Sequence, residues 1–186
     1  MMCKSGSILP DGYTQKEWLV SNKSYISLGL SLHYMTIETT LKWVDFSTSY
    51  AMMGNTNCFF GYNRGATLWR TNGMGAAGGY SEFAAPNTTD TYTIFYSRAR
   101  TLVTFQINGV TATRTVSAVS AATLYLFNIA NNNSYRMNAK LGVTKIYDES
   151  GNLVSHLIPC VNANNQSGMY DVIRNTFYTT TSFTTE

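Results

Sequence analysis

Side chains alternate with a period of two from Met35 to Trp43. Met35, Ile37, Thr39, Leu41 and Trp43 fall on one face, and Thr36, Glu38, Thr40 and Lys42 fall on the other. Only a pleated strand separates odd from even residues in this way, so the stretch predicts a half-buried β-strand; a helix would scatter both sets around its axis. A second run places Val103, Phe105 and Ile107 on one side, reverses at Asn108-Gly109, and returns through Val110, Ala112, Arg114 and Val116. Asn-Gly is the strongest short hairpin signal, because a type I′ turn needs positive φ at both central positions.

Comparable runs are YISLGL from Tyr25, YAMMG from Tyr50, NCFFGY from Asn57, ATLWR from Ala66, TYTIFYS from Thr91 and TLYLFNI from Thr123. KLGVTKIYD from Lys140, NLVSHLIP from Asn152, GMYDV from Gly168 and TFYTT from Thr176 complete the set. Gly, Asn and Ser clusters separate them, which gives about a dozen short strands. The one passable helical turn is TQKEWL, Thr14 to Leu19. Without βαβ alternation a doubly wound sheet is excluded, and the expected fold is all-β, a two-sheet antiparallel β-sandwich with a barrel as the other option. The 186 residues suffice for one domain with a real core. That domain is expected over 9–180, with 1–8 and 181–186 as tails, although the Thr-rich end is also suited to adding an edge strand.

The stretch from Gly73 to Gly78 is a literal G-x-G-x-x-G. That pattern binds a pyrophosphate only where a strand feeds the glycines and a helix starts on them. Here Pro86, Asn87, Thr88 and Thr89 follow, and then a strand pattern. The glycines therefore read as a surface loop, and no nucleotide cofactor is implied.

Charged residues make up 12% of the chain and the net charge is +3. The Lys and Arg residues are scattered, so no basic track suits a phosphate backbone and nucleic acid is not an expected partner. No run of about 18 apolar residues predicts a membrane insertion. The opening MMCKSGSILPDGY has no apolar core of a signal sequence, so synthesis and assembly in the cytoplasm are expected. Cys3, Cys58 and Cys160 are odd in number and far apart, which predicts reduced thiols, buried in the cases of Cys58 and Cys160.

Catalytic patterns are weak. Glycoside hydrolysis needs two carboxyls about 5 to 9 Å apart, yet no E-x-D-x-x-E pattern occurs, and the adjacent Asp148 and Glu149 fall in a predicted turn. Asp171 reads as a residue that caps or bridges backbone. His33 and His156 lie in strand patterns without a nucleophile motif, and G-x-S-x-G is missing. No D-x-[DN] cluster suggests calcium, and the chain is not expected to be an enzyme or to carry a metal. Binding fits the composition better. The segment Tyr62 to Tyr80 gathers Tyr62, Asn63, Arg64, Trp69, Arg70, Asn72 and Tyr80 around glycines, the mixture of aromatic faces and hydrogen-bonding groups that a saccharide site requires. Core packing is the alternative for Trp69.

Both ends of the domain are similar to a known module. LPDGYTQKEWL (Leu9 to Leu19) followed by YISLGL resembles the opening of a module common in bacteriophage and prophage structural proteins. Its closing part is similar to the stretch from Lys145 to Thr180, with Ile158-Pro159-Cys160, Gly168-Met169-Tyr170-Asp171 and Phe177-Tyr178. The resemblance departs at Ser27 and Leu28, where acidic and threonine residues are usual. It implies a concanavalin A-like lectin/glucanase (laminin-G-like) jelly roll on a virion surface, as a head fibre, decoration protein or tail-fibre-associated adhesin. Assembly in the host cytoplasm, contacts with neighbouring virion proteins, a homo-oligomer such as a trimer, and attachment to a host-surface glycan follow as expectations. A purely structural subunit and a polysaccharide-degrading enzyme are the competing readings. Independently of the family, Tyr13, Trp18 and Tyr25 near one end and Tyr147, Tyr170 and Tyr178 near the other are suited to sealing a sandwich edge.

Overall fold

The computed structural model of the protein describes residues 8–46, 50–63, 68–71, 79–129 and 136–186. These form sixteen strands in two antiparallel sheets, with no helix among the described residues. The large sheet has the order β10 (Val110–Thr115), β9 (Leu102–Ile107), β8 (Tyr92–Ala99), β4 (Met35–Trp43), β12 (Ala139–Tyr147), β13 (Leu153–Asn162), β14 (Ser167–Asp171) and β15 (Thr176–Thr179). Three short strands join it: β1 (Tyr13–Gln15) on β13, β2 (Leu19–Val20) on β12, and β16 (Thr184–Thr185) on β2. The small sheet has the order β3 (Ile26–Leu32), β11 (Ala122–Leu126), β5 (Tyr50–Gly54), β6 (Phe59–Asn63) and β7 (Leu68–Thr71). The two-sheet antiparallel sandwich read from the period-two runs is the fold observed.

Alternation sets the layers. Along β4 every odd residue is buried and every even one half-exposed, and β8 and β9 repeat the pattern. Their inner faces meet the small sheet through aromatic rings: Phe60 lies 5.7 Å from both Tyr96 and Phe105, and Trp69 lies 5.0 Å from Tyr92 and 5.9 Å from Trp43. Tilted and edge-on pairs of this kind contribute about 0.5–1.5 kcal/mol each beyond the area they bury. The Asn108-Gly109 hairpin has the predicted two-residue turn, with φ of 50° and 85°, and Asn108 Oδ1 ties it to the Thr93 N–H at 2.7 Å.

Two expectations are corrected. Thr14 to Leu19 is not a helical turn: the Lys16 N–H donates to Pro159 O at 2.8 Å, and the Glu17 and Trp18 N–H groups donate to Glu186 O at 3.0 and 3.1 Å. Tertiary carbonyls have taken the donors that a helix would use internally. Residues 181–186 are likewise part of the fold rather than a tail, and they supply the edge strand to which the Thr-rich end is suited. Phe183 is buried against Phe127, and β16 pairs β2 with Thr184 opposite Val20 and Thr185 opposite Leu19. First and last segments thus close on each other.

The residues that carry the terminal resemblance converge. Leu9, Ile158, Cys160 and Tyr170 form a second buried cluster, separate from the main core, against which Tyr13 and Phe177 pack. Tyr13 has its ring 4.7 Å from Tyr170 and 5.2 Å from Phe177. Tyr178 instead reaches the small sheet, where its hydroxyl and Arg174 Nη1 both donate to Leu28 O. Tyr25 pairs with Tyr125, while Tyr147 lies elsewhere, on the outer face of the large sheet.

Candidate functional site

The residues expected to form a binding loop lie mostly inside the sandwich. Tyr62 is 5% exposed, and Trp69 and Tyr80 are 0% exposed. Trp69 Nε1–H donates to Ala84 O at 3.2 Å, and the Tyr80 hydroxyl pairs with Thr71 Oγ1 at 2.9 Å. An isolated bridge between Trp69 and Tyr80 joins their backbones, so both rings serve as core and neither offers a face to a ligand. This corrects the reading of these three as exposed stacking residues: strand spacing on β6 and β7 turns Tyr62 and Trp69 inward, and Tyr80 is buried beside them by its bridge to Trp69. Arg70 is half-buried on the opposite face of β7, and Asn63 closes β6 opposite Leu68. Arg64, Asn72 and Gly73 to Gly78 lie outside the described residues.

The outer face of the large sheet carries what the sequence reading missed. Register brings Thr111, Gln106, Phe95, Glu38, Lys145 and His156 into one transverse row, one residue from each of six adjacent strands. At about 4.8 Å between neighbouring strands the row runs for about 24 Å. Beside it runs a second row of hydroxyls: Thr113, Thr104, Ser97, Thr36 and Tyr147. Gln106 Nε2 donates to Thr111 Oγ1 at 2.8 Å, Thr36 Oγ1 to Ser97 Oγ at 2.9 Å, and Tyr147 OH to Glu38 Oε2 at 3.1 Å. Burial first, and then the Glu38 carboxylate, push the Tyr147 hydroxyl above its usual pKa, which keeps it a donor. His156 is held below its usual pKa by burial and by Lys145, against the opposing pull of Asp171.

A groove of about 610 Å³ opens over the middle of the first row, at Gln106, Phe95, Glu38 and Lys145. Its volume falls within the usual range of small-molecule sites, about 300–1,000 Å³. Its floor is set by a bulge in β12: pairing with β4 slips between Leu141 and Thr144, so the inward parity changes from odd to even across Gly142 and Val143. Gly142 has no side chain where Thr40 Oγ1 packs, and Val143 turns outward into the groove. Beneath the bulge the buried hydroxyls of Thr39 and Thr144 bond each other at 2.7 Å. One wall comes from the N-terminal segment, which brings Gln15, Lys16 and Glu17 alongside Glu38, Gln106 and Lys145. The charges there are two acidic and two basic, so the groove offers a mixed hydrogen-bonding lining around one half-exposed ring, Phe95.

Other titratable groups have structural roles. Asp171, fully buried, accepts from Ser155 Oγ at 2.5 Å and from the N–H groups of His156, Ile173 and Arg174 at 3.1, 3.1 and 3.3 Å. The backbone-bridging role expected of it is observed. Asp148 accepts from Ser150 and Asn152 in the predicted turn, and these bonds, led by Asn152, lower its pKa. Cys58 and Cys160 are free and buried, and burial raises each thiol to about 11, Arg98 opposing the rise at Cys58. Among the described residues no group of three His, Cys, Asp or Glu is arranged to hold a metal ion. No protein-family model and no curated protein matches the chain.

Proposed function

We propose that this chain is a surface module of a bacteriophage particle, a head-fibre, decoration or tail-associated protein, that binds a saccharide along the groove on its large sheet. The cross-strand row carries the saccharide reading. Four of its residues line the groove, where Gln106, Glu38 and Lys145 present amide, carboxylate and ammonium groups around the half-exposed ring of Phe95, and polyhydroxylated chains are recognised by such a combination of polar convergence and apolar contact. The phage setting is supported by the resemblance of the two chain ends, whose residues Leu9, Tyr13, Ile158, Cys160, Tyr170 and Phe177 meet in one cluster. Fold alone does not assign an activity, so the site carries the argument.

A glycan array with the intact chain tests the reading. Binding to at least one saccharide class, lost in Phe95→Ala and Gln106→Ala variants that keep their circular dichroism spectrum, is the expected result. Silence across a broad array favours a structural subunit, a reading that the burial of Tyr62, Trp69 and Tyr80 supports. Glu17 and Glu38 line the same groove, so release of reducing ends from a bound polysaccharide, abolished in Glu38→Gln, would convert the binding module into a hydrolase.

A further inference from the structure

The sandwich's outermost strands are covered unevenly. On the small sheet, Arg174 and Tyr178 occupy the Leu28 carbonyl at the free side of β3, next to Gly29 at φ 63°. At the other end, Tyr80 bridges the free side of β7, its N–H donating to Trp69 O at 2.8 Å. On the large sheet the order ends in β15, four residues long, and in β10, six residues long, with no strand paired beyond either among the described residues; β10 is the longer edge. Strand β10 pairs β9 residue for residue over its whole length, with no bulge and no proline. Natural sheets usually blunt such an edge with charges, proline or a bulge.

The hairpin fixes which groups of β10 are free. Ile107 and Val110 close a two-residue turn and so form a hydrogen-bonded pair, which points Val110, Ala112 and Arg114 toward β9; the Val116 N–H continues the series to Thr101 O at 2.8 Å. Thr111, Thr113 and Thr115 therefore aim their N–H and C=O groups away from the sheet. Arg114 Nη1 donates to Thr113 O at 2.8 Å and leaves that oxygen one lone pair. The Arg114 side chain is otherwise drawn aside, paired with Glu82 and lying over the Tyr80 ring. Val110, 53% exposed, is the most exposed large apolar residue of this edge.

We propose that β10 is the contact by which two copies of the chain join, edge to edge and antiparallel, into one continuous sheet. A two-fold axis perpendicular to the sheet allows only registers that oppose residues of the same face. Centred on Thr113, the pairing sets Thr113 against itself, Thr111 against Thr115 of the second copy, Val110 against Val116 and Arg114 against Ala112. It forms about six backbone hydrogen bonds. Centring on Arg114 would oppose two like charges, and centring on Ala112 forms fewer bonds. The chosen register also lines up the outer faces, so that the two grooves share one surface. This goes beyond the proposed function, and its failure is separable: glycan binding reads the groove and mass reads the edge.

Sedimentation of the intact chain tests it. The wild type sediments at twice 20.6 kDa at high concentration, and Thr113→Pro, which removes an outward N–H and no backbone bond to β9, halves that mass with the spectrum unchanged. Should the proline variant unfold, the Thr111→Lys/Thr113→Lys pair gives the same halving through repulsion. Thr113→Cys forms an oxidised dimer absent from the wild type, since hydrogen-bonded Cα pairs stand about 5.5 Å apart, within disulfide reach. A monomeric wild type at high concentration, or a larger species that both folded edge variants leave intact, overturns the proposal.

Discussion

Thr40 Oγ1 occupies the space in which a Cβ on residue 142 would lie, so that Gly142 and Thr40 together form the floor of the groove at the β12 bulge. Gly142→Ala forces an overlap that β-branched Thr40, with few χ1 choices, relieves by leaving its preferred rotamer or by displacing backbone. The expected cost is about 1–3 kcal/mol, as for other overpacking changes. Thr40→Ala in the same chain removes the overlap and recovers most of that loss. Urea unfolding of the two single variants and the double variant checks this; a double variant no more stable than Gly142→Ala alone would show that the contact is not the cause.

The buried carboxylate of Asp171 gathers four donors from the β13 backbone, Ser155 and the turn after β14. Asp171→Ala leaves the buried Ser155 hydroxyl and three partly buried N–H groups without their acceptor, and the expected loss is about 2–3 kcal/mol. Asp171→Asn keeps an oxygen for the backbone N–H groups and loses less. Thermal unfolding orders the three proteins. Equal destabilisation by Asn and Ala would mean that charge, rather than the number of accepted bonds, holds the turn.

What was legible in the sequence was local. The odd-even pattern of β4 and the Asn108-Gly109 turn depend on neighbouring residues, and both occur where the sequence predicts them. Glu38 was visible as an outward residue of its strand. Its alignment with Phe95 and Lys145 was not, because that depends on β8 and β12 flanking β4, a pairing order that no single strand encodes. The glycine in KLGVTKIYD was the available hint of the bulge, since an isolated glycine within a strand commonly marks one. Trp69 illustrates the opposite error. Its neighbours Arg70 and Asn72 suit a wet loop, but its place in β7 turns it into the core, because strand parity outranks composition.

Alkaline pH should weaken the fold. Burial raises the Cys58 and Cys160 thiols from an ordinary 9.0 to about 11, and it raises the Tyr96 and Tyr80 hydroxyls as well. Above about pH 9 the unfolded chain therefore gives up thiol protons that the folded chain retains, and unfolding becomes easier. The stabilisation is complete below pH 9 and is lost as pH rises toward 11. Melting temperatures across that window check the sign, and Cys58→Ala should flatten the slope while costing some packing. A melting temperature constant from pH 8 to 11 would contradict it.

The positions of Trp69 and Phe95 separate a loop site from a groove site. Trp69 packs against Trp43, Tyr92 and Phe105, so Trp69→Ala is expected to cost about 3–5 kcal/mol, a large share of a typical domain's stability. Any loss of binding in that variant would reflect unfolding. Trp69→Phe retains most of the packing and should keep the wild-type affinity, while Phe95→Ala, on the outer face, should change stability by no more than about 1 kcal/mol and remove saccharide binding. Calorimetric titration of both folded variants against whichever saccharide the array identifies reads the difference. Binding lost in Trp69→Phe and retained in Phe95→Ala would return the site to the segment between Tyr62 and Tyr80.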